Sequence, residues 1–132
     1  MAREVQVCAG AADGLGYHVV WCPKYRRPVL TPPVTACCDE LIRVKCAADG
    51  WRVIVLEVMP GHVRLFVTAH PADSPAHVAN QVKGFTSRVL RAEFAELRSK
   101  LPTLWSRSYL AATVQRYIDT QYGRPWRKRR AR

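Results

Sequence analysis

Two pairs of side chains have the types and spacing that catalysis requires. His62 and Arg64 occupy alternate positions in the stretch HVRLFVTA. Successive side chains of a strand point to opposite faces. His62 and Arg64 would therefore share one face, and the valines and the leucine would point to the other. Tyr117 and Gln121 are four residues apart, so on a helix they lie one turn apart on one face. A tyrosine can act as a covalent nucleophile, and a glutamine carbonyl can bind a metal ion, although a helix tyrosine usually packs.

Basic side chains form a second pattern. The chain holds 21 Lys and Arg against 10 Asp and Glu, a net charge of +11, and six of the basic residues fall within the last nine positions. A basic body with a basic tail indicates a polyanionic partner, most simply nucleic acid. The loop residues Lys24, Tyr25, Arg26 and Arg27 combine charge with an aromatic ring, which suits phosphate contact and base stacking. A further basic set follows the long predicted helix: Lys83, Arg88 and Arg91. Solvated surfaces are the alternative explanation for both sets.

The length of 132 residues fits one domain, and the 48% hydrophobic content is enough for a core. No apolar run approaches the ~18 residues of a membrane span, and the first residues lack the apolar core of a signal peptide. We therefore expect a cytoplasmic protein without a membrane partner. The five cysteines include no CxxC pair, so a disulfide framework or a zinc knuckle is not expected.

Hydrophobic periodicity predicts the elements that position these residues. Strands are predicted at residues 17–23, 51–59, 62–69 and 108–113, and helices at 34–49, 74–97 and 114–121. The first helix carries the apolar stripe Cys37, Leu41, Val44 and Ala48. Pro60-Gly61 makes the turn of a hairpin. The order predicts an α+β, ferredoxin-like (RRM-like) βαββαβ antiparallel sheet with helices on one face, plus a C-terminal helix that bears Tyr117. The predicted domain spans 17–121, between a loose segment (1–16) and a basic tail (122–132).

Five sequence blocks, in this order, resemble one family over residues 17–121: YHVVWCPKYRRPVL, LEVMPGHVRLFV, QVKGFTSRVLRAEF, LWSRSYLAATV and RYIDTQ. They are similar to blocks of the TnpA-type single-strand insertion-sequence transposases and, more loosely, of the repeat-associated tyrosine transposases.

The resemblance implies a small HUH endonuclease. In such enzymes two histidines and a glutamine hold Mg²⁺ or Mn²⁺ against a phosphate of single-stranded DNA, and a helix tyrosine attacks it to form a 5′-phosphotyrosine bond. Members are homodimers that recognise hairpins at the ends of the element. The resemblance makes Tyr117 the nucleophile and His62 and Gln121 the metal ligands, and it places Lys83, Arg88 and Arg91 near the hairpin backbone.

Three departures from the family pattern call metal-dependent cleavage into question. Arg64 stands where the second histidine belongs, and a guanidinium offers no lone pair to a metal. Arg64 could instead pair with a phosphate. Gly61 replaces the aspartate common before the first histidine, and the connection from the last strand to the Tyr117 helix is short.

Two other functions stay open at this point. The first is a non-catalytic hairpin DNA- or RNA-binding protein derived from the same fold. The second is a general ferredoxin-like RNA binder that uses its open sheet face. Such a binder needs exposed aromatic residues on the sheet, and Phe66 is the one candidate that the pattern supplies.

Overall fold

The chain alternates strands and helices in the predicted order. A computed structural model describes residues 15–115. The elements are β1 (Leu15–Trp21), a 3₁₀ turn (Lys24–Arg26), α1 (Pro32–Ala48), β2 (Arg52–Met59), β3 (His62–Thr68), α2 (Pro75–Glu93), α3 (Ala95–Lys100) and β4 (Leu110–Gln115). β1 begins two residues earlier than predicted. Tyr117, Gln121 and the predicted tail lie outside the described residues.

The four strands form one antiparallel sheet in the order β2-β3-β1-β4. β1 pairs with β3 on one side, Trp21 opposite Val63, and with β4 on the other, Val20 opposite Leu110. Val114 and Gln115 belong to β4, so the prediction that a helix begins at Val114 is wrong at these two residues. Their backbone groups continue the ladder with β1, and this pairing outweighs the local helical pattern.

Both long helices cover one face of the sheet, which confirms the predicted α+β fold. The side chains that β1 and β3 send into this layer are all buried: Tyr17, Val19, Trp21, Val63, Leu65 and Val67. Each fully buried aliphatic side chain of this kind contributes roughly 1.5–3 kcal/mol. The alternate side chains face the uncovered side, which is called the open face below.

The apolar stripe predicted for α1 is confirmed only in part: Cys37 and Leu41 are half-buried against the core, but the fully buried stripe lies beside them. The buried positions are Val34, Cys38, Ile42 and Cys46, whereas Val44 is 53% exposed. Neighbouring stripes on a helix differ by one residue step, and the stripe that fills the space against β2 and α2 is the one that is buried. α1 begins with two prolines, which suit the first helical turn, and the chain reverses after it at Gly50, whose φ is +78°.

The predicted long helix is divided in two. α2 begins after Ser74, whose hydroxyl accepts a hydrogen bond from the His77 amide, and it continues through Gly84. It ends at Glu93, because Phe94 has extended backbone angles, and α3 follows. None of the helices within residues 15–115 has the length and hydropathy that crossing a bilayer requires.

Candidate nucleic-acid interface

The open face carries the polar residues of β3. His62 and Arg64 are exposed there, while the residues between and after them, Val63 and Leu65, are buried beneath the helices. The predicted division of this strand into two faces is therefore confirmed. Phe66, the next residue on the open face, is 8% exposed, and its ring centroid lies 6.2 Å from that of His18 on β1. A largely buried phenylalanine offers little surface for base stacking.

Arg64 forms an ion pair across the β2–β3 hairpin. Its Nε donates a hydrogen bond to Oε1 of Glu57 at 3.1 Å, and its Nη2 lies 3.0 Å from the same oxygen in the ion pair. The two residues are directly opposite in the ladder, and both side chains are about half exposed. An exposed pair of this kind stabilises the fold by at most ~1 kcal/mol, because water already solvates both charges. Its larger effect is to orient the guanidinium.

Sequence reasoning missed Glu57, although the signal was present. Pro60-Gly61 is a two-residue turn, and such a turn fixes the register of its hairpin: Met59 pairs with His62, so Glu57 must pair with Arg64. Glu57 is also the one acidic residue in the four strands.

The described residues do not fit a divalent metal ion. His62 is exposed opposite Met59, and the neighbouring position on its face holds a guanidinium, which cannot act as a ligand. Residues 15–115 contain no group of three His, Cys, Asp or Glu side chains that could surround an ion. Gln121 lies outside the described residues, so the predicted role of Mg²⁺ or Mn²⁺ stays a prediction.

The last described residue of β4 and His62 lie at opposite ends of the sheet. Gln115 pairs with Leu15, whereas His62 lies one residue beyond the Trp21–Val63 pair. Seven residue steps along β1 and two strand spacings across the sheet separate the two Cα atoms by about 25 Å. The two further residues that lead to Tyr117 span at most about 7 Å.

The basic loop lies at the His62 end of the sheet. The Lys24 amide donates to the Leu104 carbonyl at 2.8 Å, and the Leu30 amide donates to the carbonyl of Pro60 in the hairpin turn at 3.3 Å. Tyr25 and Arg26 both have positive φ, +60° and +56°. Non-glycine residues rarely adopt this conformation, which costs of order 1–3 kcal/mol each and is concentrated at functional sites.

The loop holds its aromatic ring outward. Tyr25 is 66% exposed, and the Lys24 ammonium lies 5.5 Å from the centre of its ring. Arg26 and Arg27 are exposed beside it. An exposed ring between cations has the composition of a surface that stacks a base and contacts the flanking phosphates.

Lys83 points into the protein rather than toward solvent. It is 9% exposed, and its ammonium donates to the carbonyls of Ser106, Arg107 and Ser108 at 2.9, 3.3 and 3.5 Å. The ammonium also lies 5.3 Å from the ring centre of Tyr109. Burial lowers the pKa of Lys83 below its ordinary value, because a charged ammonium loses solvation there. This geometry makes Lys83 an anchor for the chain that enters β4.

The other two basic residues of the set differ from each other. Arg91 is half-buried, and its Nη1 donates to the Leu101 carbonyl at 3.0 Å. Arg88 is exposed, with its guanidinium 5.7 Å from the ring centre of Phe85. Of the three basic residues predicted along this helix, Arg88 is thus the one that presents its charge at the surface.

Comparison with known proteins identifies relatives over most of the chain. The family described as "Transposase IS200 like" matches residues 11–121. The ISDra2 transposase TnpA of Deinococcus radiodurans is 34% identical over 129 residues, which cover 90% of this chain and 92% of that protein. The transposase for insertion sequence element IS200 of Salmonella typhimurium is 27% identical over 100 residues, 74% of this chain and 66% of that protein.

Two solved structures share the fold. A crystal structure of a candidate transposase from Deinococcus radiodurans R1 superposes with a TM-score of 0.73 at 30% identity, covering 86% of this chain and 89% of the other. The REP-associated tyrosine transposase bound to a REP hairpin superposes with a TM-score of 0.56 at 13% identity, covering 83% of this chain and 61% of the other. The second likeness supports the fold alone.

Proposed function

Because the chain belongs to the family of IS200-like transposases, we propose that it cleaves and rejoins single-stranded DNA at hairpin-marked ends through Tyr117. The Tyr117 oxygen attacks a backbone phosphorus, and the bond from phosphorus to the 3′ oxygen breaks. The tyrosine hydroxyl loses its proton, and the departing 3′ oxygen gains one. The products are a 5′-phosphotyrosine bond and a free 3′-hydroxyl, which can attack the bond again to rejoin the strands.

The observation that carries this proposal is the exposed set on the open face. His62 and Arg64 stand side by side there, and the loop that presents Tyr25 meets the hairpin turn next to them. A single strand laid across this end of the sheet would meet both a guanidinium for its phosphates and a ring for its bases. The REP-associated tyrosine transposase is described as bound to a REP hairpin, and we propose a hairpin ligand for this chain as well.

A second copy of the chain would bring the end of β4, which leads to Tyr117, closer to a His62 side chain than it is within one subunit. β4 is an edge strand, and residues Leu110 to Thr113 are exposed, Leu110 by 74%. An unpaired edge of this kind is a template for a strand of another molecule. Antiparallel pairing of two β4 edges would set Gln115 beside the partner's Leu110, about 16 Å from the partner's His62 instead of about 25 Å within one subunit. We propose a homodimer in which Tyr117 serves the partner's site.

Covalent trapping tests the proposed chemistry. The intact chain is incubated with a hairpin oligonucleotide that carries a single-stranded flank and a 3′ label, with Mg²⁺ or Mn²⁺, and the products are separated on a denaturing gel. We expect a labelled protein adduct, its loss in Tyr117→Phe, and its retention in Tyr122→Phe, a matched control five residues away. Absence of the adduct from the intact chain, or its loss in the control alone, would contradict the proposal.

Complementation tests the arrangement of the dimer. Tyr117→Phe and His62→Ala are each expected to be inactive. In a mixture, the heterodimer has one site with His62 from one chain and Tyr117 from the other, so the adduct should return. If the tyrosine served its own subunit, no heterodimer site would be complete and the mixture would stay inactive.

One observation favours a second function. The Arg64–Glu57 pair occupies the position of the missing metal ligand, which is compatible with a hairpin-binding protein without cleavage activity. Such a protein would bind the same oligonucleotide tightly and in a salt-dependent manner, without forming an adduct under any metal condition.

A further inference from the structure

The Arg64–Glu57 pair leaves one edge of the guanidinium directed away from the pair. Both contacts to Glu57 come from the side edge, which is formed by Nε and one hydrogen of Nη2. The opposite edge consists of Nη1 and the second Nη2 hydrogen. Within residues 15–115, Nη1 of Arg64 donates no hydrogen bond. This end-on edge is a fork of two parallel N–H groups that matches two oxygens of a phosphate.

Glu57 holds that fork in place. An isolated arginine loses up to ~2 kcal/mol of side-chain entropy when it is fixed on a ligand. The hydrogen bond from Nε and the ion-pair contact of Nη2 with the same carboxylate oxygen orient the guanidinium before a ligand arrives, so part of this entropy is already lost. The pair is also anchored at both Cα positions, because Glu57 and Arg64 are direct partners in the hairpin ladder.

The surroundings of the fork favour an anion. Glu57 is the one acidic residue of the four strands, and its charge is already paired. His62 is two residues away on the same face, and the exposed loop arginines lie at the same end of the sheet. Beside Arg64 on β1 is Val20, which does not compete for the guanidinium.

We propose that Arg64, positioned by Glu57, binds a backbone phosphate of single-stranded DNA end-on, and that this contact needs no divalent cation. Arg64 thereby supplies a phosphate-binding role at the position where the family pattern has a metal ligand. The inference rests on the proposed function for its choice of DNA as the ligand, but it concerns binding and not cleavage.

Binding measured without cleavage tests the role of Arg64. All variants are made in the Tyr117→Phe chain, and fluorescence anisotropy follows a labelled hairpin oligonucleotide with a single-stranded flank, in EDTA and again in Mn²⁺. Arg64→Lys keeps the charge but loses the fork, and we expect about 5- to 10-fold weaker binding in both conditions. Arg64→Gln should weaken binding by about 10-fold or more and reduce the slope of log affinity against log salt by about one.

The matched control is the Arg43–Asp39 pair on α1, another exposed arginine–carboxylate pair, with an Nε–Oδ1 distance of 2.8 Å. Arg43→Lys should change binding by less than about 2-fold, because the pair lies in the helix layer and not on the open face. If Arg64→Lys binds as tightly as the chain that keeps Arg64, or no more weakly than Arg43→Lys, the contact is general charge attraction and the proposal is wrong.

Two variants of Glu57 test its positioning role. Glu57→Gln and Glu57→Leu both remove the negative charge, but only the glutamine keeps an oxygen that can accept from the guanidinium. We expect the glutamine variant to bind about 3- to 10-fold more tightly than the leucine variant, and this difference should disappear when Arg64 is also glutamine. Equal affinities of the two variants in the Arg64 chain would refute positioning.

The cation is tested in the same titrations. Binding that EDTA abolishes, or that Mn²⁺ restores to the Arg64→Gln variant, would overturn the proposal and assign the site to a metal ion held with Glu57 or His62. Failure of the adduct assay alone would remove the proposed cleavage and leave this phosphate contact standing.

Discussion

Replacement of Lys83 by methionine should destabilise the protein more than the same replacement of an exposed lysine. Methionine keeps most of the length and volume of the side chain, so the change removes the ammonium and little packing. Three carbonyls, those of Ser106, Arg107 and Ser108, then lose their donor at a site that is 9% exposed. The chain at these residues leads directly into β4.

The expected magnitude follows from the three contacts. The contact to Ser106, at 2.9 Å, is a full charge-assisted hydrogen bond, while those at 3.3 and 3.5 Å are weaker. One strong and two weak bonds to a charged donor, set against the cost of burying the ammonium, give a net loss of about 2–4 kcal/mol. Burial of the ammonium, which also lowers the pKa of Lys83, offsets part of the gain from these bonds.

Urea denaturation and amide hydrogen exchange measure the effect. Lys100→Met, at an exposed lysine, is the control and should change the free energy of unfolding by less than about 0.5 kcal/mol. Amide exchange should accelerate more at Leu110 to Thr113 than in β3, because Lys83 holds the chain that enters β4. A loss below about 1 kcal/mol, or equal acceleration in both strands, would refute the reasoning.

Two further predictions concern the loop and the cysteines. Tyr25→Gly should raise the free energy of unfolding by roughly 0.5–1 kcal/mol, because glycine adopts a φ of +60° without strain. The same substitution should weaken binding of single-stranded DNA. Unchanged affinity in an anisotropy titration would exclude Tyr25 from the DNA surface. Burial raises the pKa of both Cys38 and Cys46 to about 12. Above about pH 9 these thiols ionise in the unfolded chain, whereas the native chain keeps them protonated. The free energy of unfolding should therefore fall between pH 9 and 12. The expected slope is up to about 1.4 kcal/mol per pH unit for each thiol. Urea denaturation at several alkaline pH values checks this slope, and alkylation of the native protein should modify the half-buried Cys22 well before either.

Much of the sheet could be predicted from local patterns. The alternation of β3 separates the exposed His62 and Arg64 from the buried Val63 and Leu65, because the two faces of a strand repeat every second residue. The two-residue turn at Pro60-Gly61 fixes the register that places Glu57 opposite Arg64, so this pair could also have been predicted from the sequence. Local pattern failed where packing or pairing with other segments decided the outcome, as in the stripe of α1 and the end of β4.

Local patterns were enough to predict the order of the main strands and helices, and the sequence shows directly the surplus of positive charge and the arginine two residues after His62. Contacts between distant segments were needed to establish that Lys83 is buried, that β4 is an edge strand beside β1, and that Gln115 and His62 lie at opposite ends of the sheet. Local periodicity follows from backbone geometry within one element. Burial of a long side chain and the order of strands depend on contacts between segments far apart in the chain, which compete on small differences in free energy.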